Sequence, residues 1–481
     1  MSKSSLASAA LRYGKLWGRG HESFQKNHRR ILSVKGKAEN ATKYLQGLVT
    51  SDLLSEPKAP RTQHDISMEE DSETLPPINF TSKCRSTVFL DQKGRILTDA
   101  ILWKKTNEEE KDELEYLIDV PNDTADELLQ HLQKFKLRRT KVKIDDKSED
   151  VSVHCIYGTL NAEGTPPGYT AALDPRHPSL GLRVLSTTET PGPNSMVTRD
   201  DRKEVFGNMM KNFFPEANGS YDVIRKLAGV AEGKEIQGKT ALETNQEFLN
   251  AVSFQKGCYI GQELTARSQH IGTIRKRVMP IMIVDTNTEI PRPWIIAHKL
   301  QEAGLQKLQD GDHEFSGIID IEGEVPPALP KISAPAIGGM MAMLSGNLAL
   351  PNVPSSEDGQ VGESFEPSEE EKKRMDELRK LSDQICEDLE EHAKPGAKII
   401  DKKDGKTIGQ VISSPASGTS VLLAQMRLDE VGLLESDKSK FSMTNKIQIG
   451  DSVNEYRYLP YIPIWWPDVD RKSGKELEKK D

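Results

Sequence analysis

A single cysteine between two glycines is the feature of this chain best suited to chemistry. Cys258 follows Lys256 and Gly257. Gly261 comes three residues later, where a loop is predicted to enter a helix near Ile260. Glycine tolerates positive φ angles and close backbone approach, which a tight turn presenting a thiol requires. The lysine charge and the N–H groups at a helix start both favour a thiolate, so the pattern predicts a sulfur that attacks electrophiles or binds metal.

The alternative for Cys258 is a small buried hydrophobic residue in a glycine-rich turn, as most free cysteines are. The other cysteines, Cys84, Cys155 and Cys386, are dispersed, with no CxxC pair and no histidine at zinc-finger spacing. The spacing indicates neither a disulfide framework nor a local zinc site, and it favours a reducing compartment. A cubane iron–sulfur cluster needs about four thiolates. A cluster touched by Cys258 would therefore take further ligands from a partner or a small thiol.

Composition limits the class of protein. A chain of 481 residues predicts about three domains. Only 36% of the residues are hydrophobic, and the mean hydropathy is -0.58, so substantial stretches are expected to be solvated. The net charge of -9 opposes broad nucleic-acid binding, which requires a basic surface. The most apolar segment, residues 338–350, is shorter than the roughly 20 residues needed to cross a bilayer, so no membrane insertion is expected.

The N-terminal segment differs from the rest in charge. Residues 1–30 contain seven basic residues and a single acid, Glu22, among serines and small apolar residues. The apolar residues recur at helical spacing, which gives one amphipathic face. This composition predicts a mitochondrial transit peptide over 1–30, with a disordered basic tail as the alternative.

Periodicity predicts an α+β region after this segment. Residues 123–136 form an amphipathic helical pattern, and residues 114–120 and 142–144 on either side are typical of strands. Residues 55–82 carry prolines and an acidic run, which predicts a long surface loop. Several strand–helix–strand units of this kind would make an α+β domain over 31–274.

A small C-terminal β-barrel is predicted over 275–467, interrupted by an insertion at 286–396. Its strands are expected at 277–284, 398–401, 407–412, 420–427 and 453–459. Within the insertion, residues 368–394 have apolar residues three or four apart and a capping box, which predicts a helix. That helix would supply a packing face or, alternatively, dock a partner. Residues 468–481 are predicted to be a charged tail.

Residues 250–267 closely resemble the signature of the mitochondrial iron–sulfur cluster assembly factors related to bacterial YgfZ. These factors share a superfamily with the folate-dependent aminomethyltransferase, or T-protein, of the glycine cleavage system. Further similar stretches are residues 32–50, 88–99, 174–176 and 181–183, and the series Tyr221, Arg225, Gly229 and Gly233. The resemblance covers most of residues 31–284. It implies a T-protein-like α+β region with a folate pocket, followed by a β-barrel.

The resemblance also implies a function. A protein of this kind would be a mitochondrial matrix factor that assembles or delivers [4Fe–4S] clusters to clients such as aconitase-like and radical-SAM enzymes, among them lipoate synthase. Its partners would be A-type iron–sulfur carriers and the client apo-enzymes. Cys258 would be the functional thiol and a transient metal ligand, with Lys256 favouring the thiolate. Gln262, Glu263 and Arg267 would shape the surface or pair with a partner.

A pocket for tetrahydrofolate is the second implication. Asp99 matches the T-protein aspartate that contacts folate, and Arg225 matches an arginine near its glutamyl end. By residue type alone, Asp99 is equally a carboxylate at a strand end and Arg225 an ordinary ion-pair partner. Residues 242–247 depart from the assembly-factor pattern, and the T-protein strand with its folate-binding glutamate has no clear match. An assembly factor is therefore favoured over a folate-dependent methyl- or aminomethyltransferase, with a non-catalytic scaffold as a third hypothesis.

Overall fold

The computed structural model describes somewhat more than half of the chain. The described residues are 20–24, 28–57, 83–106, 112–157, 164–176, 180–187, 190, 204–206, 220–286, 331–332, 373, 380, 384–415, 420–431, 433–434, 445–460, 462–463, 466–467, 469–470 and 472–476. They fall into two compact units. One contains the described residues of Gly18–Val278 and Trp465–Asp481, and the other contains those of Met279–Ile464.

The first unit contains a five-stranded antiparallel sheet with strand order β3-β4-β5-β2-β6. Its strands are β2 (Arg29–Lys37), β3 (Cys84–Leu90), β4 (Ile96–Thr106), β5 (Glu113–Pro121) and β6 (Val142–Asp146). Helix α1 (Ala38–Gln46) follows β2, and helix α2 (Asn122–Phe135) follows β5. Both helices pack on the sheet, which places β5, α2 and β6 in the predicted strand–helix–strand unit.

The core of this sheet forms because both helices are apolar on one side. In α2, Ala125, Leu128 and Leu132 are fully buried at spacings of three and four residues. They join Leu32, Ile118 and further apolar residues of the strands in one hydrophobic cluster. Burial of each such side chain contributes about 1.5–3 kcal/mol, so the helical stripe fixes α2 on the sheet.

A second, four-stranded antiparallel sheet completes this unit. Its strand order is β1-β7-β9-β8, with β1 at Gly20–Phe24, β7 at Val151–Tyr157, β8 at Tyr169–Leu173 and β9 at Leu182–Thr187. Helix α3 (Ser220–Leu227) precedes a long irregular segment with two short 3-10 turns, Gly233–Glu235 and Leu242–Thr244. Helix α4 (Gln262–His270) then follows the cysteine motif. Strands β7, β8 and β9 were not predicted from the sequence.

The second unit contains the predicted barrel. Six strands close in the order β10-β14-β13-β12-β15-β16. They are β10 (Lys276–Asp285), β12 (Lys398–Asp401), β13 (Thr407–Ser413), β14 (Val421–Arg427), β15 (Lys446–Ile449) and β16 (Tyr456–Pro460). Two short strands, β11 (Lys331–Ile332) and β17 (Ile462–Pro463), pair in parallel. The α+β architecture with a small barrel is thereby confirmed, and β15 is the one barrel strand that the sequence pattern did not predict.

Other predictions fall largely outside the described residues. Most of the surface loop expected at 55–82 and most of the insertion at 286–396 lie there. Of the helix predicted at 368–394, residues 373, 380 and 384–394 are described, and residues 384–392 form helix α5. The transit peptide over 1–30 stays a prediction, and two strands, β1 and β2, begin inside that range. Among the helices that are described, none is both long and apolar enough to span a membrane.

A buried arginine links the segment before the cysteine motif to the C-terminal residues of the first unit. The guanidinium of Arg277 donates to the carbonyl oxygens of Leu242, at 2.7 Å, and Gly474, at 2.9 Å. It also pairs with Glu247 at 2.8 Å and lies 4.1 Å from the ring centroid of Phe248. A planar group with several donors and a stacking face suits this position, which a lysine does not match.

Replacing Arg277 by lysine should therefore destabilise the protein although the charge is kept. We expect Arg277→Lys to lower the free energy of unfolding by about 3 kcal/mol, because the buried carboxylate of Glu247 and the two carbonyls lose their planar partner. Urea denaturation followed by tryptophan fluorescence measures this. The control is Arg267→Lys, at an exposed arginine. Equal stability of the two variants would contradict the conclusion that the planar guanidinium of Arg277 is required at its position.

Candidate functional site

The thiol of Cys258 is exposed to solvent. It lies in the irregular segment between the 3-10 turn at 242–244 and helix α4. Cys84 and Cys155 are buried instead, and their thiols donate to the carbonyl oxygens of Leu173 and Leu180 at 3.5 and 3.1 Å. Burial raises the pKa of Cys84 well above its ordinary value, so that sulfur stays a neutral thiol. Exposure of Cys258 agrees with the functional interpretation and disagrees with the buried alternative.

The loop that carries Cys258 is held by Lys256. Its ammonium group donates to the carbonyl oxygens of Gln46, Val49 and Ser51 at 2.7, 2.5 and 3.1 Å. All three N–H bonds of the ammonium are therefore engaged by the turn that follows α1. Burial lowers the pKa of Lys256 to about 8. In this geometry Lys256 acts as an anchor of the loop, and its effect on the thiol stays a prediction.

Two glycines on different elements fix the other side of the loop. Gly261 has φ +77° and caps α4, and a Cβ there would lie 2.5 Å from the carbonyl oxygen of Asp91. Gly94, in the β3–β4 turn, has φ +78°, and its Cβ would lie 2.6 Å from the carbonyl oxygen of Gly261. Only glycine permits both the backbone angle and this contact. The start of α4 is thus packed directly on the β3–β4 turn.

Gly257 does not have the role that the sequence pattern suggested. Its φ is not in the left-handed region, and a Cβ there would meet nothing within 4 Å. The glycine before the thiol leaves open space, whereas the one after it makes the tight contact. Of the pair flanking Cys258, only Gly261 is required by the backbone.

The three site residues predicted on α4 divide into one that bonds to the turn before the helix and two that are exposed. The side-chain oxygen of Gln262 accepts the backbone N–H of Tyr259 at 3.3 Å and so closes the turn before the helix. Glu263 and Arg267 are exposed, one turn apart. Exposed side chains beside an exposed thiol are available to a partner, and their predicted roles stay predictions.

A resident metal site does not form among the described residues. No group of three or more histidine, cysteine, aspartate or glutamate side chains there could hold a metal ion. Among these residues, Cys258 would supply a metal with one sulfur ligand.

One predicted folate residue, Asp99, belongs to a buried network of charges, here called the arginine network, and the other, Arg225, borders it. It joins residues of both sheets, of α3 and of the loops between them. Its members are Arg29, Asp99, Asp119, Asp174, Arg176, Arg183, Tyr221 and Glu232. If every acid were ionised, four carboxylates would face three guanidinium groups.

The contacts within the arginine network are mostly charge-assisted hydrogen bonds. Arg29 donates to Asp119 at 2.6 Å and to Glu232 at 3.2 Å. Arg176 makes a bidentate pair with Asp174, at 3.0 and 2.8 Å, and also donates to Glu232. These pairs satisfy most of the buried charges of the arginine network.

The excess negative charge is relieved at Asp99. One oxygen of this carboxyl accepts the backbone N–H of Gly233 at 2.7 Å, and the other lies 3.9 Å from the guanidinium of Arg176. Burial and the neighbouring charge of Glu232 raise the pKa of Asp99 to about 6. Glu232 has a pKa well below its ordinary range because Arg176 and Arg29 outweigh the effect of its burial. Asp99 is therefore the member of this coupled pair that takes up a proton first as the pH falls.

Arg225 lies at the edge of this arrangement. Its guanidinium donates to both carboxylate oxygens of Glu235, at 2.7 and 2.9 Å, and pairs with Asp222 at 2.6 Å. Glu235 in turn accepts the backbone N–H of Glu232 at 2.9 Å. Arg225 thus supports the 3-10 turn that donates to Asp99, and the two predicted residues meet through that turn.

The described geometry does not fit a folate at Asp99. Its side chain is only 6% exposed, and both carboxylate oxygens already have contacts inside the network. A pterin ring would have to displace Arg176 or the 3-10 turn to reach it. Arg225 likewise has two carboxylate partners of its own.

Several members of the arginine network were not predicted as site residues. Asp119 and Arg183 interrupt short apolar runs within β5 and β9, and a charge in such a run is a sequence signal for a buried ion pair. Asp174 and Arg176 lay in a stretch noted only for its resemblance. Glu232 carried no distinguishing pattern.

Comparison with known proteins identifies relatives of one kind. No protein-family model matches the chain. Mitochondrial proteins named iron-sulfur cluster assembly factor IBA57 homolog are similar to it. That of Pyricularia oryzae is 34% identical over 263 residues, or 53% of this chain and 56% of the relative. Those of Aspergillus oryzae and Mycosarcoma maydis are each 30% identical, over 278 and 270 residues, and the match covers 56% and 58% of them.

These matches confirm the resemblance to the mitochondrial iron–sulfur cluster assembly factors. They span only somewhat more than half the length of each of these relatives. A crystal structure of the glycine cleavage system aminomethyltransferase T from Bartonella henselae is similar at a TM-score of 0.47 and 10% identity. The similarity covers 95% of this chain and 90% of that one.

The contact between Gly261 and Gly94 predicts a difference between the two glycines that flank Cys258. Gly261→Ala should cost about 2–4 kcal/mol of unfolding free energy, because it adds a positive-φ penalty to a backbone clash. Gly257→Ala, with open space around its Cβ, should change it by less than about 0.5 kcal/mol. Urea denaturation of both variants tests this pair, and a costly Gly257→Ala would show that the loop is packed differently.

The shared proton of Asp99 predicts a pH dependence. The pKa of this carboxyl is about 6 when folded and 3.8 ordinarily, so the folded state holds the proton more tightly. Ionisation of Asp99 therefore lowers the free energy of unfolding progressively as the pH rises from about 4 to about 6. Asparagine cannot ionise. The quantity to compare is the free energy of unfolding of Asp99→Asn minus that of the native chain. We expect this difference to be about 1–3 kcal/mol larger at pH 7.5 than at pH 4.5.

Urea denaturation across this pH range measures the difference. Asp112→Asn, at an exposed carboxylate, is the control for unspecific effects of pH. A difference between Asp99→Asn and the native chain that does not vary with pH would mean that Asp99 is ionised throughout.

Proposed function

We propose that this protein is an iron–sulfur cluster assembly factor that uses Cys258 to receive or deliver a cluster. The observation that carries the proposal is the exposed thiol of Cys258 on a loop fixed by Lys256 and Gly261. The relatives that match the chain bear the name of such factors. A fixed, solvent-facing sulfur is suited to ligand exchange, because an incoming metal centre reaches it without local unfolding.

The cluster is cargo in this proposal. Within the described part of the chain, Cys258 is the only exposed cysteine, and no three potential ligands are grouped. One thiolate leaves the remaining metal positions to a second molecule, which makes transfer possible when that molecule is exchanged. Glu263 and Arg267, exposed on α4, offer charges of both signs to such a partner. The partners proposed are A-type carriers, and the clients are [4Fe–4S] enzymes such as aconitase-like and radical-SAM proteins.

The proposed compartment is the mitochondrial matrix. The matched relatives are named mitochondrial, and the basic, serine-rich composition of residues 1–30 suits a transit peptide. Removal of such a peptide before Gly20 would leave both β1 and β2 intact. The buried cysteines Cys84 and Cys155 form no disulfide, which is compatible with a reducing compartment.

The decisive experiment replaces Cys258 in cells that lack the native protein. Cys258→Ser removes the thiol while adding little strain at an exposed position, so the protein should accumulate normally. We expect aconitase activity and protein lipoylation to fall to the level of the deletion. Cys386→Ser, at a partly exposed cysteine in α5, is the matched control and should restore both.

Asp99→Asn in the same cells separates the alternatives. If Cys258→Ser fails and Asp99→Asn restores activity, cluster handling by the thiol is supported. Failure of Asp99→Asn alone would favour folate-dependent chemistry and overturn the proposal. Full activity of both variants would leave a scaffold without chemistry at Cys258.

A further inference from the structure

A small cleft beside the cysteine loop is not used by the proposed function. It has a volume of about 60 Å³ and lies between the turn after α1, the start of β3 and residues 250–253. A single water needs roughly 10–15 Å³ by the same measure. The cleft therefore has room for about five non-hydrogen atoms, which is the size of one α-amino-carboxylate group.

The buried wall of the cleft contains a hydroxyl group that lacks a partner. Ser51 is 5% exposed, and its Oγ makes no hydrogen bond within the described residues. A buried hydroxyl left unsatisfied costs about 1–3 kcal/mol. Because Ser51 lines the cleft, a bound polar group would satisfy it.

The charges around the cleft are of both signs. Arg85 donates through its two terminal nitrogens to the backbone carbonyls of Asp52 and Ser55, which leaves about three of its five N–H groups for a ligand. Asp52 is partly buried, but hydrogen bonds from the Leu54 N–H and the Gln46 amide outweigh this and lower its pKa. Its carboxylate is thus ionised at neutral pH.

A second carboxylate lies at the exposed wall. Glu56 lines the cleft, is exposed, and its charge acts on the guanidinium of Arg85. Two carboxylates and one guanidinium leave the cleft with a formal excess of one negative charge. A ligand with an ammonium group near Asp52 and Glu56, and a carboxylate near Arg85 and Ser51, complements both signs.

We propose that this cleft binds the α-amino-carboxylate group of a small molecule. The source is either a free amino acid or the γ-glutamyl end of a thiol peptide, and both present the same ammonium and carboxylate. The cleft and the cysteine loop share structure, because Ser253 lines the cleft and Lys256 donates to the carbonyl of Ser51. A thiol peptide held here would bring a sulfur to the same segment that carries Cys258. Binding of the head group itself does not depend on cluster handling.

Isothermal titration of the full chain with L-glutamate and with reduced glutathione tests the proposal. N-acetyl-L-glutamate, which has no ammonium group, is the matched ligand control. We expect saturable binding of at least one of the first two at millimolar concentrations or below, and at least five-fold weaker binding of the acetylated compound. Binding of glutathione alone would identify the thiol peptide as the source, and binding of glutamate alone the free amino acid.

Two substitutions locate the site. Ser51→Ala and Glu56→Gln should each weaken binding about five-fold, the effect of one lost hydrogen bond or charge. Ser51→Ala should leave the urea midpoint unchanged or higher, since the hydroxyl has no partner in the folded chain, and this separates binding from folding. Glu39→Gln, at an exposed acid on α1, should bind like the native chain. Absence of binding, or binding that neither Ser51→Ala nor Glu56→Gln changes, would overturn the proposal.

Discussion

The candidate site depends on the hydrogen bonds that the ammonium group of Lys256 donates to backbone carbonyls. Three backbone carbonyls of the turn after α1 converge on one charge, and each such bond contributes about 1.5–3 kcal/mol against the cost of burying the group. The same contact orders two functional features. On one side it fixes the loop of Cys258, and on the other it fixes Ser51 in the wall of the small cleft. A displaced lysine would therefore release the thiol and the cleft together.

The arginine network has a different place in the molecule. It lies where residues of both sheets meet, and every one of its guanidinium groups has carboxylate partners. Burial of so many charges is tolerated only because they are paired and hydrogen-bonded, and removal of one partner would leave another buried charge uncompensated. Asp99 belongs to this network as the carboxyl whose pKa is raised, to about 6. The carboxylate that the T-protein resemblance associates with folate thus has a structural role in the described conformation.

Cys258 is exposed, and both carboxyl oxygens of Asp99 have contacts inside the protein. These two observations point to the same kind of function. A transferase needs a reactive carboxylate or base that can reach its cofactor. Asp99 is enclosed, whereas the thiol of Cys258 is accessible, and no three potential metal ligands are grouped in the described part of the chain. This combination suits a protein that passes on a metal cluster better than one that transforms a bound small molecule, and it fits the names of the relatives that match the chain.

The sequence by itself determined the helices and strands that are indicated by a pattern of apolar residues within one short segment. Helix α2, strands β5 and β6 and five of the six barrel strands follow from apolar periodicity, because burial of one face depends on residues close in sequence. The motif around Cys258 also gave the family resemblance. Local sequence did not determine strands β7, β8 and β9, whose patterns are short and contain buried polar residues such as His154 and Arg183.

Only the tertiary structure decided what the residues around the thiol do. Lys256 and Gly257 are adjacent to Cys258 in sequence, yet the lysine is turned to the carbonyls after α1 and the glycine meets open space. Gly261 is required because Gly94, far away in sequence, packs against it. Contacts between distant segments set these roles, and spacing along the chain carries no information about which backbone a side chain will meet. The same reason explains why the partners of Asp99 and the unsatisfied hydroxyl of Ser51 became visible only in the folded chain.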